Sequence, residues 1–375
     1  MIATRATVQG WDAARVAGEL GERLRGERQR LVLAFADWRL EPATFARELQ
    51  RACSAPVVGC STLGVVGDPL HGDHPAATAL ALHGDAVRVG IGLAAELPAS
   101  ALGRSRDAVY EAAGRLGRTA ETLDSSRHVA LTLCDGRCRA EGAFCIGSAA
   151  AAPQIRFVGG FGSTDRQAQR HTYVFASGEA LAEAGVVVML ECELPFEVVT
   201  SMHLAPTEVK TVVTATSERV IDELDGRPAG ERLRELVGKL GAQFDPSRPW
   251  EYSFARFVDG VPYVRTMTEL EGTRIHVASD VEPGHVLRLM RSGDLIARTR
   301  EDLAAAAERV GGQIAALIAC SCVVRHWDAA ALGLEAELAA AYAQYPTTGF
   351  QSFGEQSGML LVNHTLTGLA IGDRG

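Results

Sequence analysis

The sequence predicts an α/β fold of two domains, each a mixed β-sheet packed with helices, and three observations predict it. Arg30 to Ala36 reads as a buried strand, Phe45 to Ala52 as a short helix and Pro56 to Cys60 as a second strand, a strand, helix, strand unit. The apolar runs Ala77 to Leu82 and Ala86 to Ile91 flank His83, Gly84 and Asp85, a turn that suits a hairpin and makes the sheet mixed. After the turn-forming dipeptide Ala205-Pro206, runs of strands interrupted by single helices begin again. The boundary is expected there, giving domains 1–207 and 208–375.

Taken in order, Ala13, Val16, Ala17, Leu20 and Leu24 have the spacing of an amphipathic helix before the first strand unit. Val109, Ala112, Ala113 and Leu116 mark another helix. His128 to Leu133, Ile155 to Phe161, Tyr173 to Ala176 and Gly185 to Cys192 read as strands, with a helix near Ala140 to Ala150 between the first two. Phe196 to His203 and Glu208 to Thr214 are two further β-rich runs. The second domain opens with a polar helix at Gly230 to Leu240, followed by strands in Glu251 to Thr268, Arg274 to Ala278 and His285 to Met290. A long helix carries Leu303, Ala306, Ala307, Val310, Ile314 and Leu317 on one stripe, although Ala315 to Cys320 also reads as a strand. A helix around Leu332 to Tyr342 and strands from Gly349 onward complete the pattern. No short-period repeat of the solenoid kind is visible.

Composition narrows the function. With 375 residues, 47% hydrophobic and 22% charged, the chain has globular composition and enough length for two full cores. Its formal charge of −9 repels polyanions, which argues against nucleic-acid binding. The longest aliphatic stretches, such as Ala184 to Leu190, fall far short of a membrane span, and no secretory signal is visible at Met1 to Asp12. A cytoplasmic location is expected, with the 8 irregularly spaced cysteines reduced. Apolar strand edges leave pairing between copies of the chain open.

The last third is the most informative. Cys320-Ser321-Cys322-Val323-Val324-Arg325-His326 is followed by Gly349-Phe350-Gln351-Ser352-Phe353-Gly354-Glu355 and then by Asn363-His364-Thr365. These blocks resemble, in order, the Cys-x-x-Arg, Gly-Phe-x-x-Tyr/Phe-Gly-Glu and Asn-x-Thr elements of the carboxy-terminal FIST domain. Upstream, Val57-Val58-Gly59-Cys60-Ser61-Thr62-Leu63-Gly64 and Val158-Gly159-Gly160 resemble motifs of the amino-terminal FIST domain. The resemblance implies an intracellular sensory protein that binds a small ligand and signals through a partner. The Cys-x-Cys-x-x-Arg-His element is most like the bacterial haem-binding, nitric-oxide-sensing branch. That branch implies haem b as cofactor, with a histidine kinase or a cyclic-di-GMP enzyme (diguanylate cyclase or phosphodiesterase) as partner.

Haem iron needs an axial imidazole or thiolate. His203 ends an apolar strand beside the expected domain junction, and the resemblance makes it the iron ligand; a hydrogen-bonded strand-end histidine is the alternative. His71 and His74 read as loop residues and His83 as a turn residue. His326 suits structural duty at a helix start, and His364 occupies the variable position of its motif. Cys322, Arg325, Glu355 and Asn363 are the candidate cofactor-binding residues. Arg325 either pairs with Glu355 or anchors a carboxylate such as a haem propionate. Cys322, Arg325, Gly354, Glu355 and Asn363 are expected to converge.

Enzyme signatures are poor. Ser61 lacks the second glycine of a Gly-x-Ser-x-Gly elbow, because Leu63 stands there. Gly159-Gly160-Phe161-Gly162 has neither dinucleotide spacing nor a Walker lysine. Cys320 and Cys322 lie two apart on a strand, which would put both thiols on one face and permit a redox pair. The expectation is a non-enzymatic sensor of haem-bound nitric oxide. The alternatives are a haem-free receptor for an amino acid or similar metabolite and a cysteine-dependent hydrolase using Cys60.

Overall fold

The computed structural model of the chain describes residues 2–68, 73–165, 171–258 and 260–373; His71 lies outside them. The mixed α/β class holds, and one topology occurs three times. In the first repeat, strand Ala3–Gln9 pairs antiparallel with the last strand, Ala76–His83. Ala76–His83 pairs antiparallel with Gln29–Asp37, which pairs parallel with Val57–Thr62. The second repeat copies this order with Val87–Ala94, Gly185–Cys192, His128–Cys134 and Arg156–Phe161. The third copies it with Phe196–Met202, Thr365–Gly372, Ile314–Cys322 and Thr347–Ser352. Helices Pro42–Ala52, Glu141–Ala151 and the pair Val323–Leu332 and Glu335–Ala343 make the parallel crossovers.

A single glycine position explains much of the repetition. Gly59 lies opposite Ala34, Gly159 opposite Thr132 and Gly349 opposite Ala319. A Cβ at any of the three would stand 1.7, 1.9 or 2.1 Å from the facing carbonyl oxygen. Only glycine permits that close approach of backbones. Short strands beyond these glycines then cross between repeats. Val65–Val66 joins the third sheet, Val174–Ala176 the first and Glu355–Ser357 the second.

The strands carry apolar residues on both faces because both are covered. Leu31, Leu33 and Phe35 point into a core shared with Val129, Leu131 and Leu133 of the second sheet and Ile318, Cys320 and Leu369 of the third. Their neighbours Val32, Ala34 and Ala36 pack instead against the helices Ala13–Arg23 and Pro42–Ala52. The three sheets therefore enclose one interior, with helices outside, and Phe35 stacks on Phe350 across it at 4.5 Å.

Several expected elements differ. Ala76–His83 and Val87–Ala94 do not form a hairpin, since Gly84-Asp85 carries the chain from the first sheet into the second. His83 ends its strand buried. Phe196–Met202, placed by the sequence in the first domain, pairs with the last strand of the chain. Strand Leu204–Ser217 runs through Ala205-Pro206 and the 207/208 boundary; a register shift between Pro206 and Lys210 accommodates the proline, which has no N–H to give the ladder. The stripe from Leu303 to Leu317 is not one helix. Leu295–Arg309 stops at Gly311 and Gly312, whose φ values of 96 and 92° suit glycine, and Ile314–Cys322 is a strand.

Between the first strand and first helix of the third repeat, the chain inserts a sheet of its own. Leu204–Ser217 and Val286–Ser292 form its centre, and Gly293 N–H donates to the His203 carbonyl at 2.9 Å, closing the base of the insert. Its core, with Leu233, Leu236, Phe254 and Leu289, is separate from that of the body. His203 alone links the strand Phe196–Met202 to the insert, and Gly293 and Asp294 lead the chain back to the body.

Candidate functional site

The third repeat differs from the others where its parallel strands end. Asp37, Asp135 and Cys322 occupy equivalent positions, three residues beyond Ala34, Thr132 and Ala319. From Cys322 the chain enters helix Val323–Leu332 directly. That helix carries Arg325, His326 and Asp328 inward at the base of the insert.

Arg325 is completely buried. Its Nη2 donates to Thr299 Oγ1 at 2.6 Å and Nη1 to His203 Nδ1 at 3.4 Å. His203 Nε2 donates to Asp328 Oδ2 at 3.2 Å, and Asp328 Oδ1 accepts from Arg248 Nη2 of the insert at 3.1 Å. The His364 ring packs edge-on against His203 with centroids 4.9 Å apart. His203, Asp328 and His364 are all buried, and neither ring nitrogen of His364 has a hydrogen-bond partner. Burial holds both imidazoles below the usual histidine range, so both are neutral.

Glu355 lies on the opposite side of Cys322. It accepts from Ser352 Oγ at 2.6 Å and Thr365 Oγ1 at 2.5 Å. Burial pushes its carboxyl up to about 8. Of the two alternatives for Arg325, the ion pair with Glu355 does not form: Arg325 turns to Thr299 and His203, and the acid is held by hydroxyls. Asn363 donates to the Phe353 carbonyl at 3.4 Å and lies within 3.1 Å of where a Gly354 Cβ would stand. Cys322, Arg325, Gly354, Glu355 and Asn363 thus gather around one strand end, with Arg325 facing the histidines and Glu355 the hydroxyls.

The thiols are not poised for chemistry. Cys320 packs in the common core and Cys322, at the end of the same strand, with Val323, Val324 and Trp327. Burial raises both thiols and Cys60, and these three are free of disulfides. Cys60 is thus a core residue, unsuited to serve as a nucleophile. His326 bonds Ser321 Oγ at 3.1 Å, and Ser321 bonds Tyr342 OH at 2.9 Å.

Beyond Cys322 a cleft of about 550 Å³ opens between body and insert. Trp327, Phe353 and Leu361 give it an apolar floor. Two ion pairs cross it: Arg139 with Glu218 at 2.6 Å, and Arg219 with Glu141 at 3.2 Å. Sequence reading missed this cleft, because its charged residues come from 137–141 and 218–220, segments with no motif.

Haem b does not fit on His203 as the residues stand. One ring nitrogen faces Asp328, the other faces Arg325, and a second imidazole covers the ring. An axial haem ligand needs its nitrogen aimed into a slot wide enough for the macrocycle, and the Asp328 and Arg325 side chains stand in front of the two nitrogens.

The residues thus frame a charged cleft between an α/β body and an inserted sheet. The chain belongs to the FIST family: the FIST N domain matches residues 30–227 and the FIST C domain residues 229–358. No curated protein matches. Among solved structures, a cyanuric acid hydrolase from A. caulinodans aligns over 100% of this chain and 99% of that one, at 12% identity and a TM-score of 0.35. FIST domains point to small-ligand sensing and signalling. Among the described residues, no helix is long and apolar enough to cross a membrane.

Proposed function

We propose that the chain is a cytoplasmic, non-enzymatic sensor that binds an amino acid or similar metabolite in the cleft and relays its occupancy through the insert. The observation that carries this reading is the pair of ion bridges, Arg139 to Glu218 and Arg219 to Glu141, spanning a cavity of ligand size above an apolar floor. A zwitterion with an apolar side chain complements both charge signs and the floor. Its ammonium and carboxylate compete for the residues that hold insert to body, so binding biases how the insert sits. A thermal-shift screen of the proteinogenic amino acids tests this. A hit lost in Arg219→Ala supports the reading; a hit unaffected by that change, or no hit, counts against it.

The narrower reading implied by the family resemblance is haem-based nitric-oxide sensing, passed to a histidine kinase or a cyclic-di-GMP enzyme by a chain that also pairs with itself. Its support is the resemblance, and no step of the proposal runs through haem. A Soret band in protein expressed with iron and haem precursor, lost in His203→Ala, would restore it over the metabolite reading.

A further inference from the structure

We propose that His203, Asp328 and His364 form a non-haem site for one divalent transition-metal ion of the zinc or ferrous type. This inference is independent of what the cleft binds. The three side chains come from separated parts of the chain: the link into the insert, the helix after Cys322 and the residue before the last strand. Each offers one donor atom, and these atoms lie within 4.8 Å of one another. Two imidazoles and one carboxylate are a donor set that both zinc and ferrous iron accept.

Three features make the cluster more than a chance meeting of polar groups. His203 Nε2 and Asp328 Oδ2 are 3.2 Å apart, close to the ~3.3 Å between two donors of one tetrahedral zinc at bond lengths of about 2.0 Å. His364 is fully buried with both ring nitrogens unpartnered, and buried imidazoles ordinarily find a partner. A small swing of its ring toward the other two closes the set. Arg248 holds Asp328 Oδ1 at 3.1 Å, which leaves Oδ2 for the ion and supplies the outer contact that orients a ligating carboxylate.

Loading moves the His203 Nε2 proton to Nδ1 and gives up the long contact from Arg325, which keeps its 2.6 Å bond to Thr299. The Arg325 and Arg248 guanidiniums and the ion outweigh the carboxylates of Asp328 and Asp294. The remaining coordination position therefore favours an anionic ligand or hydroxide over a neutral one.

The test uses the full chain, stripped with a chelator, and Zn²⁺ alone as probe. Calorimetry should give one site per chain. Affinity should fall by at least about 100-fold in His364→Ala and in Asp328→Asn, judged against the 10–100-fold cost of losing an outer-shell partner. Far-ultraviolet circular dichroism checks that both variants fold. X-ray absorption on zinc-loaded wild-type protein needs no variant and should show two imidazoles with oxygen and no sulfur. Absence of a stoichiometric site, sulfur in the coordination shell, or unchanged affinity in folded variants would overturn the proposal.

Discussion

Asp37 and Asp135 in the first two repeats and Cys322 in the third stand at one position of the same topology, yet their surroundings diverge. Asp37 accepts from the Arg39 backbone and guanidinium at 2.7–2.9 Å. Asp135 accepts from the Arg137 and Glu183 backbones at 2.9 and 2.8 Å and from Thr172 Oγ1 at 2.6 Å. Both carboxylates tie the residues that follow the strand to its end. At Cys322 no carboxylate closes the turn, the helix starts at once, and the cleft opens beside it. Equivalent backbone positions thus tie a loop through a carboxylate twice and start a helix at a thiol once, while the cleft runs from Gly136 and Arg137 beside Asp135 to Cys322.

The sharpest way to break this comparison is to remove the side chains. Asp135→Ala strands four donors, the Arg137, Thr172 and Glu183 N–H groups and the Thr172 hydroxyl, and should cost about 4 kcal/mol of stability in a urea melt. Cys322→Ala should cost only about 1 kcal/mol, since it removes one small buried group whose sulfur takes only weak hydrogen bonds from the Val324 and His364 backbones. Equal losses would mean that the third strand end is as structural as the other two.

Glu355 gives a smaller effect that depends on pH. Its folded value of about 8 lies above the ordinary 4.5, so between these values the folded chain binds more protons than the unfolded one. Its contribution is fully present below about pH 4.5 and is lost as pH rises to about 8, by up to about 1.4 kcal/mol per pH unit. Glu355→Gln, which mimics the neutral acid, should flatten this part of the stability curve. An unchanged slope would show that the carboxyl is ionised at neutral pH.

The smallest effect is expected at the cleft mouth. Arg139 and Glu218 are 73% and 74% exposed, so Arg139→Ala should shift unfolding free energy by at most about 0.5 kcal/mol. A larger loss would make this bridge a structural clamp and not a contact that a ligand can open.

The α/β class and most strands were legible because apolar runs of strand length bounded by glycine leave few other readings. The threefold repetition was not. Its copies lie about 100 residues apart once the insert is set aside, and they share burial rather than residue identity, apart from Gly59, Gly159 and Gly349. All three glycines fall within the motifs that carry the family resemblance, so the signal was present but looked like separate signatures. Arg325, Glu355 and Asn363 could be placed at strand ends from sequence, yet the partners of Arg325 could not, because His203 and Thr299 reach it from distant segments. His364 read as a variable position. Only coordinates show that its ring nitrogens are buried without partners.

The cleft between body and insert, with Trp327 in its floor, is where the ligand is expected to bind. Calorimetric titration of the amino acid giving the largest thermal shift, with wild-type chain and with Trp327→Ala, tests it most directly. The account predicts saturable binding at one site per chain, weakened at least about 10-fold when the indole of the cleft floor is removed. Binding of equal strength in the two proteins would contradict it.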